Sequence, residues 1–180
     1  MKRPHHVILI IAGVLGATGA GTGAAYALGF RVNTTSSVPI GIYRIEGQPS
    51  GRGQIVAYCP PDTSTFRMAR DRGFVLGGMA CPGGYRPLFK PVAAIAGDTV
   101  TIGAGGIAVN GAALPNTRAK GRDSEGRALP HVSAGRYRVD RDQVWLVSTY
   151  SPRSFDARYF GPVPAIGIVG VARPIFTVEG

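Results

Sequence analysis

Asn33-Thr34-Thr35-Ser36-Ser37-Val38-Pro39-Ile40-Gly41-Ile42-Tyr43-Arg44 begins three residues after a long apolar run ends. Inside it lies the spacing Ser-x-Pro-x-Gly-x-Tyr, from Ser37 through Pro39 and Gly41 to Tyr43. Proline fixes one backbone dihedral and glycine releases the next, so a serine just before them can be held at a fixed angle. Taken alone, the stretch reads equally well as a Ser/Thr-rich juxtamembrane linker. What lies on either side decides between a linker and the start of a folded domain.

Upstream, Met1 to His6 is short and basic, and Val7 to Phe30 runs 24 residues without a charge. That length crosses a bilayer as a helix with some tilt. Lys2 and Arg3 before it predict a cytoplasmic N-terminus, with the remainder on the far side. Gly19 and Gly23 form a small-xxx-small pair suited to helix packing. The alternative is a cleaved signal peptide, because Ala25-Tyr26-Ala27 resembles a cleavage site. The glycines after Val7–Ile11 imitate a dinucleotide-binding loop. That fold needs an acid about twenty positions on to hold the ribose. The first acid here is Glu46 and no helical crossover precedes it, so a Rossmann fold is excluded.

Downstream, short apolar or alternating runs are cut by Gly and Pro. Gln54–Cys59, Leu88–Ala96, Thr99–Ile102, Gln143–Thr149 and Gly167–Val178 read as strands. Ile107 to Leu114 reads as a hairpin with Asn110-Gly111 at its turn. Thr63 to Arg72 reads as one short helix ending at Gly73, and Arg118 to Gly135 as a charged surface loop. The expectation is a mainly β domain over residues 31–180, with a short helix, carried on one N-terminal transmembrane helix within residues 1–30.

The 180-residue chain has 20 basic and 10 acidic residues, a net charge of +10. Such a balance suits nucleic acid, an anionic membrane surface or an acidic partner. Seventeen of the basic residues are arginines scattered without a run. No zinc-finger spacing, RNA-binding aromatic motif or basic helix accompanies them, which favours a membrane-facing or general surface bias and argues against nucleic acid. Cys59 and Cys81, each followed by proline, read as one disulfide outside the cytoplasm. Two buried thiols or a half-built metal site are the alternatives, and without a nearby histidine the metal site is poor.

Ser37 becomes a nucleophile only if something takes its proton. His5 and His6 fall on the cytoplasmic side of the apolar run, and His131 stands alone in a polar loop. Of the three lysines, Lys2 is cytoplasmic and Lys120 lies in the charged loop. Lys90 is embedded in Leu88-Phe89-Lys90-Pro91-Val92-Ala93-Ala94-Ile95. Burial lowers a lysine pKa and frees the neutral amine to act as a base, a role closed to arginine. Otherwise Lys90 is a strand lysine whose stem lies on apolar surface with its amine in water. Asp156 and Arg158 can pair on one side of an extended segment, with Ser154 on that same side; the alternative is a surface ion pair worth little.

Together these stretches resemble the S26 signal-peptidase family of serine–lysine proteases, and within it most closely the branch that matures conjugative-transfer pilins. Ser37 to Tyr43 matches that branch's nucleophile motif. Lys90 with Gly97-Asp98 looks like its lysine box, Val109-Asn110-Gly111 its hairpin, and Ser154 to Val163 its closing Asp-x-Arg-Tyr-x-Gly box. Cys59-Pro60-Pro61 and Cys81-Pro82-Gly83-Gly84 also look like this branch.

The resemblance implies a signal-peptidase-like β domain, anchored in the bacterial inner membrane by a single pass and facing the periplasm. Ser37 would be the nucleophile and Lys90 the general base. The Ser37 N–H and the Thr35 hydroxyl would hold the oxyanion. Asp156 would support the site through Arg158, and Ser154 would bond the lysine amine. No metal or organic cofactor is implied. The implied substrate is an exported, propilin-like precursor, resolved by hydrolysis or by cyclisation. The implied setting is the inner membrane beside conjugative-pilus or type IV secretion machinery. Two departures stand out: Pro91 replaces a frequent arginine, and Ser148-Thr149-Tyr150-Ser151 replaces the Gly-Asp-Asn-x-Asp stretch of general signal peptidases. A general type I signal peptidase and a non-catalytic envelope scaffold are the competing readings.

Overall fold

The computed structural model describes residues 21–49 and 51–178. The predicted membrane helix over Val7–Phe30 lies largely outside the described residues. Within them, residues 21–27 are helical and Phe30 already belongs to a strand. No helix among the described residues is long and apolar enough to cross a membrane.

The motif stretch becomes the end of one strand, a turn and most of a second strand. Strand β1 (Phe30–Asn33) pairs antiparallel with β2 (Ile40–Glu46). Neither was expected from periodicity, because Asn33 and Pro39 interrupt the alternation. Gly41 lies where β2 meets the last strand, β12 (Ile168–Val178). A Cβ there would stand 2.1 Å from the Phe176 carbonyl oxygen, so close backbone approach requires glycine at this point of the motif.

Strand β3 (Ile55–Tyr58), β5 (Leu88–Ala94), β6 (Thr99–Gly103), β10 (Gln143–Leu146) and β12 fall within a few residues of the expected runs. The expected hairpin is present as β7 (Gly106–Val109) and β8 (Ala112–Ala113). Asn110 and Gly111 both have positive φ, 50° and 86°, as a tight primed turn demands. Strands β4 (Gly77–Cys81), β9 (Gly135–Arg138) and β11 (Val163–Pro164) are additions to the expected set. Helix α1 (Ser64–Asp71) is capped by Thr63, whose side chain accepts the Phe66 N–H, and ends before Gly73 at φ 75°.

Seven strands form one antiparallel sheet in the order β1-β2-β12-β3-β5-β10-β11, and four form a second in the order β8-β7-β6-β9. The larger core cluster packs Val56, Tyr58, Val92 and Leu146 of the main sheet against Phe66 and Ala69 of α1. A second joins the sheets through Trp145, Ala94, Val100 and Val109. A third, smaller cluster gathers Val38, Tyr43, Ala57, Phe89 and Ala172 beneath the motif. A Cys59–Cys81 disulfide ties the α1 excursion back to the body. The register also aligns Val32, Ile42 and Phe176 in one cross-strand row over β1, β2 and β12, and all three are exposed.

Candidate active site

Asn33 closes β1 and organises the turn that follows. Its amide nitrogen donates to the carbonyls of Thr35, Val38 and Pro39 at 2.9, 3.2 and 3.0 Å. Its oxygen accepts the Thr35 N–H at 3.1 Å and the Thr35 hydroxyl at 2.8 Å. The Tyr43 hydroxyl donates back to the Pro39 carbonyl at 2.6 Å, and its ring meets Phe89 edge-on at 5.3 Å. The loop carrying Ser37 is therefore clamped from both ends of the motif. Asn33 was not among the expected site residues. An asparagine two residues before a threonine, at a strand end, is the local signal that marks it.

Lys90 enters from β5, where it pairs with Val56 of β3. Its side chain is buried, and its amine donates to Ser37 Oγ and, at 2.8 Å, to Ser154 Oγ. Ser154 Oγ also lies 3.2 Å from Ser37 Oγ, so three polar side chains converge on one point. Burial is the main cause that lowers the Lys90 pKa, to about 8. Arg158 adds to the effect, while the Asp156 carboxylate works against it. Sequence expectation had Lys90 either buried as a base or snorkelling to water. The side chain is buried and its amine ends on the two serine hydroxyls.

Asp156 and Arg158 are both buried and make an ion pair with two contacts. Asp156 accepts from Arg158 Nε and Nη2, each at 2.8 Å. The expected extended segment is corrected here. Residues Ala157–Phe160 form the short helix α2, with Asp156 as its N-cap accepting the Arg158 N–H at 3.2 Å. An Asp-x-Arg spacing looks the same on a strand and at a capped helix start, which is why the local conformation was misread. The remaining guanidinium hydrogens go to the carbonyls of Asn116, Pro152 and Ser148 at 2.9, 3.2 and 3.0 Å. All five Arg158 donors thus find acceptors.

Ser148 links this buried pair to the nucleophile loop. Its N–H donates to Asp156 Oδ2 at 3.0 Å and its hydroxyl to the Ser37 carbonyl. It follows β10, whose register beside β5 brings the Val147 N–H onto the Pro91 carbonyl at 3.1 Å. Sequence reading saw Ser148 only as a departure from a motif, because its partner lies 111 positions away. Asp156 makes no hydrogen bond to Ser37 or Lys90; it reaches them through Ser148 and Arg158. His131 is exposed, its ring facing the Val132 carbonyl.

Ser37 lines one surface groove, and its neighbour Val38 lines a second. One is walled by Val32, Phe74, Leu76 and Leu88, the other by Val38, Ile55, Val92 and Tyr150.

Residues 6–177 match the profile of the family described as signal peptidase, peptidase S26. The chain belongs to the S26 signal-peptidase family. It is 43% identical over 155 residues to an Escherichia coli plasmid transfer protein, TraF, across 86% of this chain and 87% of that one. It is 38% identical over 177 residues to a conjugal transfer protein TraF of Agrobacterium tumefaciens, covering 97% of this chain and 98% of the relative. Among solved structures it superposes on a signal peptidase I from Enterococcus faecalis with TM-score 0.39 and 16% identity, over 70% of this chain and 98% of the other. The expected resemblance is thereby established at the level of the family and of its TraF relatives.

Proposed function

We propose that this S26 peptidase is a membrane-anchored serine endopeptidase that processes an exported precursor, a propilin of a conjugative pilus. The observation that carries the reading is the buried Lys90 amine bonded to the Ser37 hydroxyl. In the proposed reaction the neutral amine takes the Ser37 proton as Oγ bonds to the scissile carbonyl carbon. The Ser37 N–H and the Thr35 hydroxyl receive the oxyanion. The Thr35 hydroxyl donates to Asn33 before substrate arrives, so this role requires it to rotate toward the substrate. Collapse breaks the C–N bond, and Lys90 passes its proton to the leaving amine. Water, or the amino terminus of the pilin, then attacks the ester with Lys90 again as base. Ser154 orients the amine, while Asp156 and Arg158 hold Ser148 and through it the Ser37 carbonyl.

The conjugative setting is supported by the relatives, which are transfer proteins. A single-pass anchor in residues 1–30, with residues 31–180 in the periplasm, is supported by Lys2 and Arg3 before the apolar run. The disulfide, which suits an oxidising compartment, and the exposed row Val32–Ile42–Phe176 support it further.

The test is processing of a candidate propilin in cells carrying wild type, Ser37→Ala or Lys90→Ala, read by intact mass. Precursor left by both variants and product made by wild type is the expected result. A product one water lighter than the linear form marks cyclisation. Normal processing by both variants would discard the dyad in favour of a scaffold role.

A further inference from the structure

Next to the nucleophile, and separated from its groove by a single aromatic ring, lies a cavity that the proposed chemistry does not use. Phe74 lines both. The cavity floor is an aromatic stack in which Phe155 lies 5.5 Å from Phe74 and 5.3 Å from Tyr159. Over this floor stand Lys120, Arg122 and Arg153. Among the described residues none of the three has a carboxylate partner. The one acid in the wall, Asp123, is already engaged by Arg127 at 2.7 Å and Arg72 at 3.5 Å, and by the N–H groups of Glu125 and Arg127. Its negative charge is therefore matched, and the three cations are not. Arg153 immediately precedes Ser154, whose hydroxyl lies 3.2 Å from Ser37 Oγ. Adjacent Cα atoms stand about 3.8 Å apart. A peptide held across Ser37 can thus pass Phe74 within a few residues of its scissile bond.

We infer that this cavity is a substrate subsite that binds a carboxylate of the peptide, either an acidic side chain or a free C-terminus, a few residues from the scissile bond. Lys120 and Arg153 supply the charge, since their side chains bond to no other group among the described residues. Arg122 contributes less freely, because its Nη1 donates to the Gly126 carbonyl at 2.7 Å. The aromatic floor lowers the local exposure to water and strengthens the ionic hydrogen bonds. The inference rests on the peptidase reading for the word substrate, and its test is separate from catalysis.

Full-length Ser37→Ala protein in detergent is titrated with short fluorescein-labelled peptides of alanine and serine, followed by fluorescence polarisation. A single Glu is walked along each peptide, beside a Gln twin, with free and amidated C-termini. At one position, or only with the free terminus, the charged peptide is expected to bind about tenfold tighter than its neutral twin. That advantage shrinks in high salt. It disappears in a protein also carrying Lys120→Gln and Arg153→Gln, but persists with the charge-matched control Arg136→Gln and Arg138→Gln on the second sheet. Equal binding of all twins, no binding of any peptide, or a preference that survives the double substitution overturns the inference. So does a cavity that takes only phosphatidylglycerol vesicles in a Lys120- and Arg153-dependent way, which makes it a lipid site. Because the nucleophile is already removed, failure of wild type to process precursor sinks the peptidase reading without altering this result.

Discussion

A lysine in a strand ordinarily lays its stem on apolar surface and leaves its amine in water. Lys90 instead ends against Ser37 and Ser154, and burial brings its pKa down to about 8. Since only the neutral amine can take a proton, kcat/KM is expected to rise with pH through about 8 and level off above it. A profile flat from pH 6 to 9 would exclude Lys90 as base. Lys90→Arg should be inactive throughout that range, because arginine keeps its proton. The same depression affects stability. The folded pKa lies below the ordinary 10.5, so between about 8 and 10.5 the unfolded chain binds more protons and stability rises with pH. Below that window the buried charge costs on the order of 3 kcal/mol. Lys90→Met should therefore melt higher than wild type at pH 7, and the gap should close by pH 10. Lys90 was legible because an apolar run around a lysine signals a buried strand, and burial is what lowers its pKa. Ser148 was not legible, since its contact with Ser37 exists only once β10 lies beside β5.

At the scale of elements, the four residues of α2 do more than their length suggests. Their N-cap, Asp156, neutralises a fully buried arginine that in turn grips three separate stretches of backbone. Asp156→Asn leaves that guanidinium without a counter-charge, a loss expected to cost about 3–5 kcal/mol in urea unfolding. A purely structural role would stop there. Because the carboxylate also opposes the Lys90 shift, the acid limb of the pH profile should move lower in this variant. Helix α1 was readable from its Thr63 cap and Gly73 stop, both local signals, whereas α2 was hidden by a spacing compatible with a strand. The disulfide holds α1 and β4 at the edge of the groove containing Phe74 and Leu76. Replacing both cysteines by serine should lower stability by about 2–4 kcal/mol. It should also raise amide exchange across residues 64–81 more than across β5 or β10.

At the scale of the molecule, local reading found most strands but, the β7–β8 hairpin apart, none of their neighbours. The mainly β expectation rested on alternation and turn residues, which are properties of short windows. Sheet order depends on pairings far apart in the chain. The two strands of the motif stretch were missed because their side chains do not alternate cleanly. Ile40 and Ile42 are exposed and Gly41 is dictated by backbone contact with β12.

That sheet order sets a clock. Strand β12 inserts between β2 and β3, so two segments close together in the chain join in one sheet only through a strand far downstream of both. Ser37 likewise waits for Ser154, 117 positions later, and for Lys90, 53 positions later. A ribosome delivers these pieces in order, and pairings of such long sequence separation form late. Until those segments are in place Ser37 has neither the amine nor the second hydroxyl beside it, so the polar cluster is a product of the folded sheet and of no local stretch.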